Sequence, residues 1–215
     1  MNLTSPDKAD AVCMWSPWRG SSRDAWREHF ERSGRPVIVA ENGFLSPIHD
    51  EPYYQVALSG WNGTGSFPAG DGSRWASWGI DLAPWVERPV RRALVIGQRG
   101  HPSDDRTCLP GWHKTVDVDC PLAMRRDPGA PWPLGDDFRA ASHVHVWTSN
   151  AASHAVIAGL PVVQHGPNLM VGALASRPSE DIVRPERLPV LEVLAWTQWS
   201  ASEIASGLPF QRLLA

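Results

Sequence analysis

Between residues 143 and 166 the chain reads HVHVWTSNAASHAVIAGLPVVQHG, an alternating strand, a polar turn, a short apolar helix stopped at Gly159-Leu160-Pro161, and a second strand. A connection that contains a helix joins strands running the same way, so this stretch predicts a βαβ passage and a parallel sheet. The alternation recurs along the chain. DAVCMW, RDAWREHFERSG and RPVIVAENG read as strand, helix and buried strand; RRALVIGQRG and PLAMRRDPG read as strands running into turns, and GDDFRAAS as a helix. The pattern predicts the α/β class, with a mostly parallel, Rossmann-like sheet flanked by helices.

The segment FLSPIHDEPYYQVALSGWNGTGSFPAGDGSRW carries no sustained period and is too long for an idle connection, so it reads as a functional loop region with one short strand at Tyr54 to Leu58. RWASWG follows as a short helix. The tail from Arg184 contains two amphipathic helices, the second opened by Ser200 with Glu203 three positions on, a capping box. It is expected to pack back across the sheet, with Trp196 and Trp199 as anchors.

Several function classes drop out on composition. A chain of 215 residues forms one sizeable domain or two small lobes and needs no metal or disulfide to build a core. Its cysteines, Cys13, Cys108 and Cys120, lie far apart without a CxxC pair, which argues against a secreted disulfide framework and a structural zinc site. No run reaches the length of a membrane span and MNLTSPDKAD is no signal peptide, so a soluble, cytoplasmic protein is expected. The net charge of -3 gives no general attraction to nucleic acid, although eight Lys/Arg stand against four Asp between Arg88 and Arg126. That run is either a polyanion-binding surface or a solvated face. Of the 12 tryptophans, Trp15, Trp18, Trp61, Trp112 and Trp132 sit among Gly and Pro in expected loops, where a flat ring packs or stacks on a sugar or base. His143 and His145 share one strand face, but a His-x-His pair without a third ligand is a weak metal signal, and none is expected.

In a parallel sheet the site lies where strands end. Those ends here carry Glu41-Asn42-Gly43, Gln98-Arg99-Gly100, Arg125-Arg126-Asp127, Thr148-Ser149-Asn150 and Gln164-His165-Gly166, all polar. Small residues before a helix leave its first N–H groups open to a phosphate; the alternative is that Ser149 or Asn150 simply caps the helix.

The run VWTSNAASHAVIAGLPVVQHG resembles the C-terminal-lobe segment of GT-B glycosyltransferases, nearest to the capsule Kdo transferase type and to small phage-encoded proteins of glycosyltransferase-like character. VIVAENGFL, YYQVALSGWNGTG, LVIGQRG and LAWTQWSASEIASG extend the likeness over residues 36 to 215. One departure stands out. Where relatives place R-P-H-P-G after a strand, this chain has MRRDPGAP, keeping Arg125, Pro128 and Gly129 but replacing Pro-His by Arg126-Asp127.

The resemblance implies a compact GT-B-like arrangement: a shortened N-terminal α/β lobe over 1–90 holding the acceptor loop, and a nucleotide-binding lobe over 91–215 with the helical tail. It implies a metal-independent, nucleotide-sugar-dependent glycosyltransferase without a separate cofactor. In a phage setting, modified DNA bases are one acceptor. Transfer needs a base for the acceptor hydroxyl and cations for the departing phosphate. Glu41 is the first candidate base and Asp127 the second. Arg99 and Arg125 would stabilise the phosphate, Gln98, Thr148, Ser149, Asn150 and His165 would hold the nucleotide, and Gly166 would let it approach the backbone. Trp61, Asn62 and Gly63 are the acceptor candidates, unless a second subunit in a homodimer completes that side. The other readings are a nucleotide or nucleic-acid binding module without turnover and a Trp-rich interaction protein.

Overall fold

The computed structural model describes residues 8–16, 21–100 and 108–215. The chain opens with β1 (Val12–Trp15), α1 (Ser22–Arg32), β2 (Val37–Asn42) and β3 (Tyr53–Leu58). Ser21 caps α1 by accepting from the Asp24 backbone N–H at 3.1 Å, and Asp24 sits near the positive helix end while pairing with Arg27. The helix buries Phe30 against Met14, Val37 and Val39, which is why β1 and β2 run parallel, Val12 opposite Val37.

After α2 (Ser73–Trp78), a β/α series follows: β4 (Ala93–Ile96), α3 (Trp112–Thr115), β5 (Ala123–Arg126), α4 (Leu134–Ala140), β6 (His143–Val146), α5 (Ala151–Ile157), β7 (Val162–Gln164) and β8 (Ala175–Ser176). Helix α6 (Leu188–Ala195), strand β9 (Gln198–Ser200), α7 (Ala201–Ala205) and α8 (Leu208–Leu213) complete the described elements.

Two compact units result, Met1–Ala69 with Trp196–Ala215, and Gly70–Ala195. The expected boundary at residue 90 is thus displaced to 69, and the tail belongs with the first unit. The reason is strand pairing: β9 lies antiparallel on β3, Tyr54 opposite Trp199, and the buried Trp199 joins Ile38, Val56 and Leu213. Gln198, fully buried, accepts from Leu45 N–H at 2.9 Å and donates to Leu45 C=O at 3.0 Å. Ser200 caps α7 through the expected capping box.

The first unit's sheet, β1-β2-β3-β9, is mixed rather than mostly parallel. The link between β2 and β3 is too short to carry a crossover helix, so β3 returns antiparallel. The second unit has the predicted parallel sheet, in the order β5-β4-β6-β7-β8. The chain moves from β4 to one side and then returns to build the other. That is a doubly wound order, and its switch point lies between β4 and β6.

Register sets the faces. Ala93 and Val95 stand opposite His143 and His145, so both histidines share one face as the sequence predicts, while Val144 and Val146 occupy the other. Helix α5 reaches β6 and β7 with Ala152, Ala155 and Val156 buried. Gly159 ends it at φ +76°, pressed so closely on the Pro84 carbonyl that a Cβ would lie 2.0 Å from that oxygen. No other residue fits there.

Candidate functional site

Parallel strands bring the ends of β4, β5, β6 and β7 to one edge of the second unit, which gathers nine of the expected site residues. At the switch point Gln98 and Thr148 bind each other. Thr148 N–H donates to Gln98 Oε1 at 3.0 Å, and Gln98 Nε2 donates to Thr148 Oγ1 at 3.1 Å. This clamp holds the ends of β4 and β6 together, so these two side chains act as structure at the mouth of the crevice. Beside it Ser149 Oγ accepts from Ala151 N–H at 3.3 Å and Ser149 C=O from Ala152 N–H at 3.0 Å. Ser149 therefore supplies the turn. Asn150 has helical backbone angles and does not cap α5 with its side chain. Ser149 and Asn150 both remain half-exposed.

At the end of β5 the three polar residues go different ways. Arg125 donates to the carbonyls of His113 and Val116, fixing α3 and its exit. Arg126 pairs with Asp137 and donates to Trp132 C=O at 2.7 Å. Asp127 accepts from His113 Nε2 at 2.7 Å and lies 3.1 Å from Lys114 Nζ. Asp127 meets this His-Lys pair and not Arg125, because the Arg125 guanidinium is already used by α3. The hydrogen bond from His113, then that from Lys114, holds the Asp127 carboxyl below the usual carboxylate range, which makes it a weaker base than a free aspartate. Arg99 is exposed at the end of β4, with its guanidinium beside Gly129.

His113 and Lys114 are functional candidates that the sequence reading missed. They ride on the four-residue α3, which is too short to show a helical period. His113 is buried between Gly97, Arg126 and Pro128, while Lys114 reaches solvent.

The end of β7 is packed rather than open. A Cβ on Gly166 would lie 2.5 Å from the Trp147 indole, so the packing of this tryptophan requires the glycine. His165 Nε2 shares a hydrogen bond with His145 Nδ1 at 2.9 Å, and its ring meets Trp112 edge-on.

The basic stretch is only partly a free surface. Arg88 donates to Ala141 C=O, Arg125 and Arg126 are committed as above and Lys114 pairs with Asp127, while Arg91 and Arg99 reach solvent.

Glu41 and the acceptor candidates belong to the first unit. Glu41 accepts from Ser16 Oγ and, at 2.9 and 2.8 Å, from the backbone and side-chain N–H of Asn42. Asn62 Oδ1 accepts from Gln55 Nε2 at 3.0 Å, and Asn62 N–H donates to Gln55 Oε1 at 2.7 Å. Asn62 thus holds the loop to β3. Trp61 packs on the Met14 and Phe30 cluster, which leaves Gly63 exposed. Of the other loop tryptophans, Trp15 meets Tyr54 edge-on, Trp112 is buried, and Trp132 donates to Asp137 at 3.1 Å. Trp18 lies outside the described residues.

Among the described residues, no group of three or more His, Cys, Asp or Glu is placed to hold a metal ion, and no helix is long and apolar enough to cross a membrane. The edge that remains open offers the exposed Arg99 and a half-exposed polar turn at Ser149-Asn150, with Lys114 exposed but paired to Asp127. Such an edge can receive an anionic group and stabilise charge that develops on it.

No protein-family model matches this sequence, and none of the curated proteins matches it. Among solved structures, the chain is similar to a β-Kdo 2,4 transferase, KpsC of Thermosulfurimonas dismutans, at 12% identity and a TM-score of 0.58, covering 94% of this chain and 88% of that one. It is also similar to the β-Kdo 2,7 transferase of the same KpsC at 20% identity and a TM-score of 0.52, over 92% and 84% of the two chains. At these identities the likeness is one of fold, and the chain is an α/β protein of GT-B-like Rossmann arrangement.

Proposed function

We propose that this chain is a nucleotide-sugar-dependent glycosyltransferase whose second unit receives the donor phosphate at the carboxyl edge of the parallel sheet. One observation carries the reading: at the doubly wound switch point, the exposed Arg99 and the half-exposed Ser149-Asn150 turn flank strand ends clamped by Gln98 and Thr148. In transfer, the bond from the anomeric carbon to the phosphate oxygen breaks as the acceptor oxygen attacks, so negative charge grows on the leaving phosphate. Arg99 is the guanidinium assigned to meet it, with Lys114, which also pairs with Asp127, as a second cation. Arg125 acts at one remove by fixing α3. Glu41, oriented by Ser16 and Asn42, is the base assigned to the acceptor hydroxyl.

The two structures named above are Kdo transferases, so nucleotide-activated Kdo is the first donor to test, with nucleoside mono- and diphosphates as binding probes. Saccharides and modified-base DNA make up the acceptor panel. The reading expects a nucleotide to raise the unfolding temperature in proportion to its affinity and Arg99→Ala to weaken that nucleotide about tenfold, as the loss of a charge-assisted bond does. Absence of binding by every nucleotide would overturn it. A second reading, a module that binds but does not turn over, draws on the commitment of Arg125 to backbone carbonyls and the weakened basicity of Asp127. Nucleotide binding without transfer or donor hydrolysis would select it.

A further inference from the structure

The second unit contains a cavity of about 460 Å³ that the proposed phosphate edge does not use. Its floor includes Val163 and the imidazoles of His143, His145 and His165, and its mouth carries Arg91, Asp117, Asp119, Arg177, Glu180 and Asp181, all exposed. The floor and the mouth differ in kind.

His143 and His145 are only 2% and 7% exposed, on strand positions that a parallel sheet normally fills with valine or isoleucine. Their rings form a row with His165, with centroids 5.1 and 5.2 Å apart. His143 Nδ1 bonds Ser142 Oγ at 2.9 Å and His145 Nδ1 bonds His165 Nε2 at 2.9 Å. Among the described residues, nothing bonds His143 Nε2 or His145 Nε2. Two imidazole nitrogens at the base of a cavity thus keep their hydrogen-bonding capacity unspent. Burial, reinforced by Arg91 and Arg184 at His143 and by the neighbouring histidines, Arg91 and Arg125 at His145, keeps both rings uncharged at neutral pH.

An uncharged floor whose remaining imidazole nitrogens each donate or accept, according to tautomer, does not suit an ion, whose buried charge would lack a partner. It suits hydroxyl groups, which also donate and accept. The mouth points the same way. Two guanidiniums, which only donate, stand among four carboxylates, which only accept, so the mouth offers hydroxyl groups partners of both kinds.

We infer that this cavity is a binding site for an uncharged polyhydroxylated ligand, a neutral saccharide or the end of one, which puts hydroxyls on His143 and His145 and is gripped at the mouth by the arginines and carboxylates there. The site uses neither Arg99 nor the Ser149-Asn150 turn and does not rest on the transferase reading. Titration of the full-length protein with D-galactose, D-mannose and sucrose, followed by saturation-transfer NMR and calorimetry, tests it. At least one sugar is expected to bind saturably. His143→Val, which gives the strand a residue its neighbours already have, and Asp119→Asn at the exposed mouth should each weaken that sugar about tenfold, the loss expected when a bond at a desolvated site is left unmade. Arg99→Ala should leave it unchanged, which separates this site from the nucleotide edge. If His143→Val fails to fold, Asp119→Asn and Arg91→Ala decide. Saturable binding of none of the three sugars, affinity untouched by the mouth variants, or tighter binding of inorganic phosphate, glutamate or putrescine would overturn the assignment.

Discussion

His143 and His145 make the fold sensitive to acid. Burial pushes their imidazoles down to about 4 and about 3, from an ordinary value of 6.5. As the folded values are the lower ones, the unfolded chain takes up protons first, and stability falls as pH drops from 6.5 toward 4 and then 3. Each histidine contributes a slope of up to about 1.4 kcal/mol per pH unit in its window. Urea denaturation at pH 7, 5.5 and 4.5 should show this loss, and His143→Val should flatten the slope; an equal slope in the variant would refute the assignment. Gly166→Ala is a second residue-level case. Its methyl meets the Trp147 indole, and overpacking of this kind costs about 1–3 kcal/mol, read as a lowered unfolding midpoint with a changed tryptophan emission. The polar strand ends are legible in the sequence as candidates, but their partners are not. Whether Gln98 meets Thr148, 50 positions away, depends on the register of β4 against β6, and Arg125 turns to α3 only because α3 exists.

Helices and strands with room for a period show themselves in the sequence. The α1 passage, the β6-α5-β7 unit and the short strand over residues 53–58 fall where alternation and helical spacing place them. Short elements that stand outside such a run do not. β8, β9 and α3 are too short to display a repeat, and they exist because a neighbouring strand or a guanidinium completes their hydrogen bonds. The capping box of α7 is the exception among short elements, since its signal lies in two named residues. Ser200→Ala removes the acceptor for the Glu203 N–H at 3.2 Å and should cost about 1 kcal/mol in chemical denaturation. A cost below a few tenths would mean that the pairing of β9 on β3, and not the cap, holds α7 in place.

The two units differ in how much of the chain each requires. Residues 70–195 are continuous and contain their own parallel sheet and core. Expressed alone, they should give a cooperative unfolding transition by circular dichroism; a non-cooperative melt would show that this sheet needs the first unit. The α/β class is legible because β/α alternation dominates the second unit. The mixed sheet of the first is not, because its last strand lies more than a hundred residues from the third.

The partnership of β9 with β3 has a consequence for biosynthesis. Folding on a ribosome usually proceeds from the amino end. Here β1, β2 and β3 leave the exit tunnel early and must wait, with the β3 edge and the Ile38 and Val56 side chains bare, until Trp199 has been translated. Residues 70–195 are all made in that interval, and the exposed strand edge makes it the time when chaperone binding matters most.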